Sequence, residues 1–592
     1  MSQLIFDESK KTVRKPIAKV RITWAGDSID PTILTTTTND NRASYPDQIS
    51  DSIVDIPRKW IQTNTSHPVV NAGYYLMPST VSEANKYQVG WRGSVASSAN
   101  GSISGTNGKL TIDFDARPVA GFVVAGDNAL NEYPVDYTVT VYNKIGGSFS
   151  ILETVTITNN SDVVRTILLE SAYTDVERMI LTITKWSKPN EVPKIAEFNT
   201  SFVREYDGDD IVNMSILEET DGSVEGFFVG NISCNELDLS LQNIDDDFFS
   251  SNINSDIHNV LKRNRKIEPF IGFNINGVDH YKAKGLYWSG NWESSDQSTT
   301  ANTTARDRME LLRNITYDGF GALSATKYLL INQSINLFTN IILENLQTSM
   351  PDFYYDIDPN FGTQVLPIVF LNRQSWFDCL KKIAQAGSGV VYFDTPTESE
   401  VAANPLIRDI LRIKTINGFY PNITTTQEAK DLSAFEVITK DDYISKQNPK
   451  KNHQIINVVN VKRKLVEINQ QTGDAEIYEE EIVSEQNESS IIEYGALKYD
   501  YPDNELIQTT QQALDICGSI INEYSEANKD LEIAAFGNPT ISIGSVIETP
   551  EFQKNNIDIK SKSVVKRITF EYDGSLRANY ECRRVGPIYE AN

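Results

Sequence analysis

Apolar and polar residues alternate with period two over many short stretches of this chain, and the first clear one is Ala18 to Trp24. A Thr/Asn/Asp-rich stretch to about Ile49 follows and reads as a loop or an edge hairpin. Near Trp60 a new unit begins, with apolar residues at Ala72 to Leu76, a strand pair around Tyr87 to Trp91, and a Gly/Ser/Asn-rich segment from Ser97 to Gly108. Strands then crowd together at Leu110–Phe114, Val119–Val124, Asp136–Tyr142, Ile151–Ile157, Val163–Leu169 and Met179–Thr184. Strands at that spacing, separated by turns, predict a β-sandwich. Pro189 to Pro193 reads as a connector.

Past the connector the pattern stays β-rich to about Ile271. Glu236–Leu241 alternates strictly, Asn243–Ser250 is an acidic turn carrying Phe248 and Phe249, and strands continue at Phe270–Ile275 and Tyr281–Gly290. Thr304 to Leu312 switches to helical spacing with Met309 and Leu312 on one side, and Thr304 with Asp307 reads as a capping box. Asn345 to Thr363, polar and carrying Pro351 and Pro359, reads as a boundary. Ser375 to Gly387 predicts a helix: Ser375 caps it, Trp376, Leu380 and Ile383 share a face, and Gly387 ends it before a Val390–Phe393 strand. The segment Thr424 to Lys430 reads as a linker. The last part opens on a Gln454–Val461 strand and a polar hairpin around Thr472-Gly473-Asp474. A helix is predicted over Thr510–Tyr524, with Ala513, Ile516, Cys517 and Ile520 inward and Thr509 with Gln512 as a capping pair. Strands return at Leu531–Ala535, Thr540–Ile547 and Ser563–Tyr572.

Composition narrows the functions this pattern can serve. The chain has 592 residues, 40% of them hydrophobic, enough for roughly four cored domains. Its 54 Lys and Arg against 80 Asp and Glu give a net charge of −26, which repels phosphate backbones and argues against sequence-specific nucleic-acid binding. Cys234, Cys379, Cys517 and Cys582 are too scattered for a metal knuckle or a redox pair and read as buried thiols of a protein made in a reducing compartment. Met1 to Lys10 lacks the apolar run of a signal peptide, and no stretch of about eighteen apolar residues spans a bilayer.

Residues for catalysis do not assemble. His67, His258, His280 and His453 sit in no metal-ligand spacing, so neither a zinc site nor a His-based triad is expected. Asp207-Gly208-Asp209-Asp210 and Asp245-Asp246-Asp247 offer clustered oxygens without the full spacing of a calcium loop, and read as solvated turns. Glu479 to Glu481 reads as a surface patch, and Gly101, Gly105 and Gly108 as loop glycines. Catalytic residues, cofactors and metals are therefore all expected to be none. The informative group is Arg306-Asp307-Arg308, two guanidiniums flanking a carboxylate at a helix start, suited either to bidentate bridging of β elements or to a local surface ion pair.

Taken in order, Asn235–Asp238, Asn243–Asp246, Ile267–Gly272, Gly285–Trp288 and the Ala305-Arg306-Asp307-Arg308 to Leu312 helix start resemble tail proteins of phages and prophages of Gram-positive bacteria. Ser375 to Asp394 and Gly537 to Gly544 resemble later modules of the same proteins, so the likeness spans most of residues 200–592. Phe114 to Asp127, Tyr137 to Tyr142 and Val176 to Ile183 resemble a galactose-binding-like (discoidin-type) module. The resemblance implies a multidomain, mainly β chain with two hub-type β-barrel domains, a small α/β domain and an inserted β-sandwich of jelly-roll type. The implied boundaries are 1–60 and 196–345 for the split first barrel, 61–195 for the insert, 346–430 for the α/β domain, and 431–592 for the second barrel with its helix near 510–524.

The function implied by the resemblance is that of a tail hub: a structural component of a tail tip or baseplate, joining the tail tube to the cell-facing tip and supporting host attachment and genome ejection. Also implied are a homotrimer, contacts with the tail tube or distal tail protein and with other baseplate proteins, a cell-wall glycan as a further partner, and a place in the virion tail after assembly in the host cytoplasm. Arg306, Asp307 and Arg308 are then expected to be assembly contacts, and Trp60, Tyr74 and Trp91 ligand-facing aromatics of the insert. A cell-surface carbohydrate-binding adhesin is the alternative, supported by the β-sandwich and the Trp and Tyr content. A glycoside hydrolase with a binding module is the third reading, for which no carboxylate pair stands out. No peptidase or lysozyme-like signature is recognisable.

Overall fold

The computed structural model describes residues 2–25, 35–36 and 91–590, with short gaps of which 221–229 and 318–329 are the longest. Trp60, Tyr74, His67, His258 and His453 lie outside the described residues. The chain is mainly β, built on one large sheet and several small ones.

The period-two segments become strands because alternation lets one face be buried while the other stays wet. Glu236–Gln242 is the plainest case: Leu237, Leu239 and Leu241 are buried while Asp238 and Gln242 are exposed. That strand is held on both sides, by Ile211–Glu219 and by Thr300–Arg306. Pro16–Ala25 pairs with Lys266–Ile275 and with Phe202–Tyr206, so the N-terminal strand is stitched to the chain beyond residue 200. Ile211–Glu219 pairs in turn with Ile557–Tyr572, and Leu576–Glu590 continues the sheet. Strands from near the two chain ends thus share one sheet, and a single apolar core runs from Ile5 to Val585.

The region 91–199 has a core of its own, from Trp91 to Phe198. Its main sheet orders the strands Thr35–Thr36, Lys109–Ala125, Val164–Trp186, Pro134–Ile145 and Ser148–Ile157, with Glu197–Asn199 paired to the second of these. Where the sequence suggests two strand pairs (Leu110–Phe114 with Val119–Val124, and Val163–Leu169 with Met179–Thr184), the chain forms two long continuous strands. Register shifts around Asp113, Arg117 and Val119 mark the bends between them. Trp91–Arg92 pairs with Lys194–Ile195, so the two ends of the 91–199 segment lie side by side.

Helices follow their caps. Trp376–Ala386 starts at Ser375, whose Oγ accepts from the Asp378 N–H, and ends at Gly387. Gly387 and Gly389 lie so close to the Phe361 ring that a Cβ on either would come within 2.4 Å of it. The Gly-Ser-Gly step is therefore a packing requirement as well as a helix stop. Thr510–Tyr524 is capped by Thr509, with the four expected apolar residues buried.

Four expectations are corrected. Thr304 is not a cap: Thr300–Arg306 is a strand, and the helix begins only at Arg308 with Asp307 as its N-cap. The polar stretch beginning at Asn345 continues a helix, Ile335–Ser349, across the expected boundary at 345. Its Asn340 and Asn345 donate to backbone carbonyls four residues back, so side chains that look like loop signals are accommodated along the helix. Thr426–Asp431, read as linker, is a short helix with a Thr425–Glu428 capping box. Within the expected strand Thr540–Ile547, Asn538 caps a turn through Thr540, and the strand begins at Val546.

Candidate functional site

The three residues singled out at the helix start separate sharply. Arg306 is the last residue of a strand, on the polar outer face, paired with Glu236 at 3.2 Å. Asp307 turns inward and is 3% exposed. One carboxylate oxygen accepts from the Met309 N–H at 3.0 Å and the Cys234 thiol at 3.2 Å, the other from the Asn235 N–H at 2.9 Å. It therefore caps its own helix and pins the neighbouring loop at the same time. Burial raises its pKa to about 7, against the lowering by those three donors.

Arg308 is 1% exposed. Its guanidinium binds Asp409 through Nε at 2.9 Å and Nη2 at 3.1 Å, and Asp352 through Nη1 and Nη2 at 3.1 Å each, while lying over the Trp288 ring 5.0 Å from its centroid. The helix that carries it belongs to the first β region, whereas both carboxylates belong to the following α/β segment. Arg308 is the clamp between them. Burial alone lowers its pKa, but the two carboxylates raise it on balance, and it stays charged.

A second arginine repeats the arrangement inside the α/β segment. Arg412 binds Glu400 at 2.7 and 2.8 Å, Asp356 at 3.1 Å and Asp394 at 3.4 Å. The hydrogen bonds from Arg412 and Thr397 hold the Glu400 carboxyl down to about 2. Burial raises Asp394 to about 6 even with Arg412 beside it. Between the two arginine clusters lies a small cavity lined by Asp307, Asp394, Asp409, Asn235, Lys284 and Glu218 among others, with Ile543 of the C-terminal segment also in its wall. Lys284, 1% exposed, pairs with Glu218 at 3.0 Å and stands 4.4 Å from the Phe570 ring centre. Three stretches of the chain therefore meet at one buried, charge-compensated junction.

The expected assembly contacts need correcting on this point. Asp307 and Arg308 are buried inside their own chain, satisfied by partners on it, and only Arg306 faces outward. Trp91 is likewise no ligand-facing aromatic: it is 2% exposed, in the core of the 91–199 region, where its strand pairs with Lys194–Ile195. Its indole is a large apolar surface, and it is packed into that core.

The acidic runs serve as turns. Asp207 accepts from the Asp209 N–H at 3.0 Å, Asp246 takes a positive φ of 58°, and Asp247 pairs with Arg204 at 2.9 Å. Phe248 anchors the second turn by packing on Trp24 and Trp292, with ring centres 5.8 and 4.8 Å away. Among the described residues no group of three or more His, Cys, Asp or Glu is placed to hold a metal ion, and no helix is long and apolar enough to cross a membrane. Glu480 and Glu481 pair with Lys464 and Arg463 across their hairpin. Sequence reasoning missed Lys284, Asp352, Asp409 and Arg412, whose partners lie up to 255 residues away and leave no local signal.

No family model matches the sequence. No curated protein matches it. Among solved structures, the 43 kDa tail protein of a Shewanella oneidensis prophage shares 11% identity at a TM-score of 0.37, covering 64% of this chain and 95% of its own. A tail protein from Neisseria meningitidis shares 8% at a TM-score of 0.40, covering 64% and 93%. An Escherichia coli component of the type VI secretion system shares 9% at 0.34, covering 65% and 76%. At these identities and scores none of the likenesses assigns this chain a fold or a role.

Proposed function

We propose that this chain is a structural hub of a phage-type tail tip or baseplate, acting by assembly rather than by catalysis. The observation that carries the reading is the welded body: strands from both ends of the chain in one sheet, one apolar core from Ile5 to Val585, and a buried arginine, Arg308, clamping the first β region to the α/β segment. A part that joins a tube to a tip must transmit load without hinging, and a continuous core with buried bidentate ion pairs suits that task. The ordered motifs of residues 235–312, 375–394 and 537–544 add the resemblance to tail proteins of Gram-positive phages.

In this reading residues 1–60 and the chain from 196 make the first hub barrel and 431–592 the second, the α/β link lies between them with its start outside the helix Ile335–Ser349 rather than at 346, and 61–195 is an inserted galactose-binding-like module. The hub is a homotrimer, one face to the tail tube or distal tail protein and the other to tip proteins, assembled in the host cytoplasm into the virion tail. Arg306, left on the surface, is the member of its triplet available to a neighbouring subunit. Light scattering and particle images of the full-length protein test the reading. Rings of three with an axial opening are the expected result; a strict monomer, both free and with purified tail tubes, would overturn it.

A further inference from the structure

The outer face of the first β region carries an open polar cleft of about 420 Å³, within the range of pockets that take small organic ligands. We propose that this cleft binds a short oligosaccharide. Its floor is the wet face of the paired strands Glu236–Gln242 and Thr300–Arg306, where Thr304 already donates to Asp238 at 2.6 Å. Its rim is Trp288, Arg263, Asn264, Asn291 and Glu293.

Two features of the rim point to a ligand. First, it is fixed before anything binds. Asn264 holds a positive φ of 60°, its N–H donates to the Ser289 carbonyl at 2.8 Å, and the Ser289 N–H donates to the Arg265 carbonyl at 2.8 Å. Gly290 lies against the floor strand, where a Cβ would meet the Thr304 carbonyl at 2.7 Å. A rim pinned by backbone bonds loses little entropy on binding. Second, the side chains of Arg263, Asn264, Asn291 and Glu293 have no partner among the described residues, although the floor beneath them is internally paired. They supply donors and acceptors in mixture, beside an indole held by Arg308.

That combination selects the chemical class. Nucleic acid is disfavoured by a net charge of −26. An extended peptide would be read chiefly by adding to a free strand edge, but the floor strand Glu236–Gln242 is paired on both sides. A sugar needs no edge: its hydroxyls match mixed amide, guanidinium and carboxylate groups, and its apolar ring face matches an indole. The site is separate from the insert and adjoins the buried junction only through Trp288, whose ring lies under Arg308.

Full-length protein titrated with trisaccharides of N-acetylglucosamine, of glucose and of galactose, read by tryptophan fluorescence and by calorimetry, tests this. At least one is expected to bind, with Asn264→Gly, which keeps the positive φ, and Asn291→Ala each weakening it about two- to tenfold, the range for losing one neutral hydrogen bond. Trp288→Ala should weaken it further. Since that change also uncovers Arg308, the two rim asparagine variants decide the matter if it misfolds. Absence of binding by all three sugars, or binding that the asparagine variants leave unchanged, would overturn the proposal. Light scattering of the same sample reports on assembly separately.

Discussion

Both the 91–199 region and the body around it bury charge, but they use it differently. In the first, Glu132 is 2% exposed and accepts from Lys188 at 3.1 Å, Lys194 at 3.0 Å and the Trp186 indole at 3.3 Å. All four residues belong to the 91–199 region, and Lys194 lies in its Trp91–Arg92 strand pair, so the charge closes the region on itself. In the body, Arg308 reaches from one module to two carboxylates of the next, so the charge ties units together. Buried ion pairs contribute little net stability when complete, but removing one partner is costly. The same chemistry therefore ties one region to itself and the other to its neighbours in the chain.

The largest effects should expose that contrast. Phe122, fully buried against Phe198 in the insert core, becomes Ala at a cost of about 3–5 kcal/mol. Calorimetry should show one transition moved down and the body transition in place; a common shift of both would break the comparison. Arg308→Met leaves Asp409 buried without its partner and should cost the body about 3–5 kcal/mol. In denaturant titrations the insert transition should hold its midpoint. Changing Asp409→Leu as well should restore much of the loss, because the buried carboxylate goes with its partner and the remaining one, Asp352, reaches solvent.

Acidity should act with opposite sign at two carboxyls, one in each region. The folded pKa of Asp307 is about 7, above its ordinary value, so between about pH 4 and 7 the unfolded chain is ionised while the folded one holds the proton. The contribution of Asp307 to body stability therefore falls as pH rises through that window, by at most about 1.4 kcal/mol per pH unit. Asp307→Asn should flatten this slope. Glu132 is lowered below its ordinary value, its lysine partners outweighing the burial that raises it. Its contribution is present above the unfolded pKa and lost as pH falls, and Glu132→Gln should remove that acid sensitivity from the insert transition. Equal slopes for variant and parent in unfolding measured from about pH 4 to 7 would sink the assignment to Asp307.

A smaller effect is expected at the helix over Thr510–Tyr524. Thr509→Ala removes the acceptor for the Gln512 N–H and should cost about 1 kcal/mol. Thermal melts should place the loss in the body transition alone, since Ala513 and Ile516 pack into its core.

Local signals were readable and distant ones were not. The helices at Ser375–Gly387 and Thr510–Tyr524, and strands such as Glu236–Leu241, follow from caps and periodicity that lie close together in the chain. The Arg306-Asp307-Arg308 triplet stood out as a group, but its division into outward, capping and clamping members depends on a strand ending at Arg306. Capping chemistry misled there, because Thr304 and Asp307 have cap spacing while only Asp307 sits at a helix start. Asp352, Asp409 and Arg412 gave no sign, being ordinary charges until the fold brings them together. Trp91 drew attention as an aromatic near a loop and is core, because exposure is settled by what packs over a residue.

Arg306 gives the finest test of the contrast, since it is the triplet's surface member. Its ion pair with Glu236 is half exposed on the arginine side, at 48%, and screened by water. Exposed pairs of this kind contribute about 0–1 kcal/mol. Arg306→Ala should therefore leave unfolding in dilute solution within about 0.5 kcal/mol of the parent, against the severalfold larger loss from Arg308→Met two residues away. If the full-length protein forms rings and Arg306 meets a neighbouring subunit, the same variant should shift the ring–monomer balance while the monomer melts unchanged. Salt separates the two outcomes. A rim charge acting between subunits loses its effect as ionic strength rises, whereas the buried Arg308 clamp keeps its own.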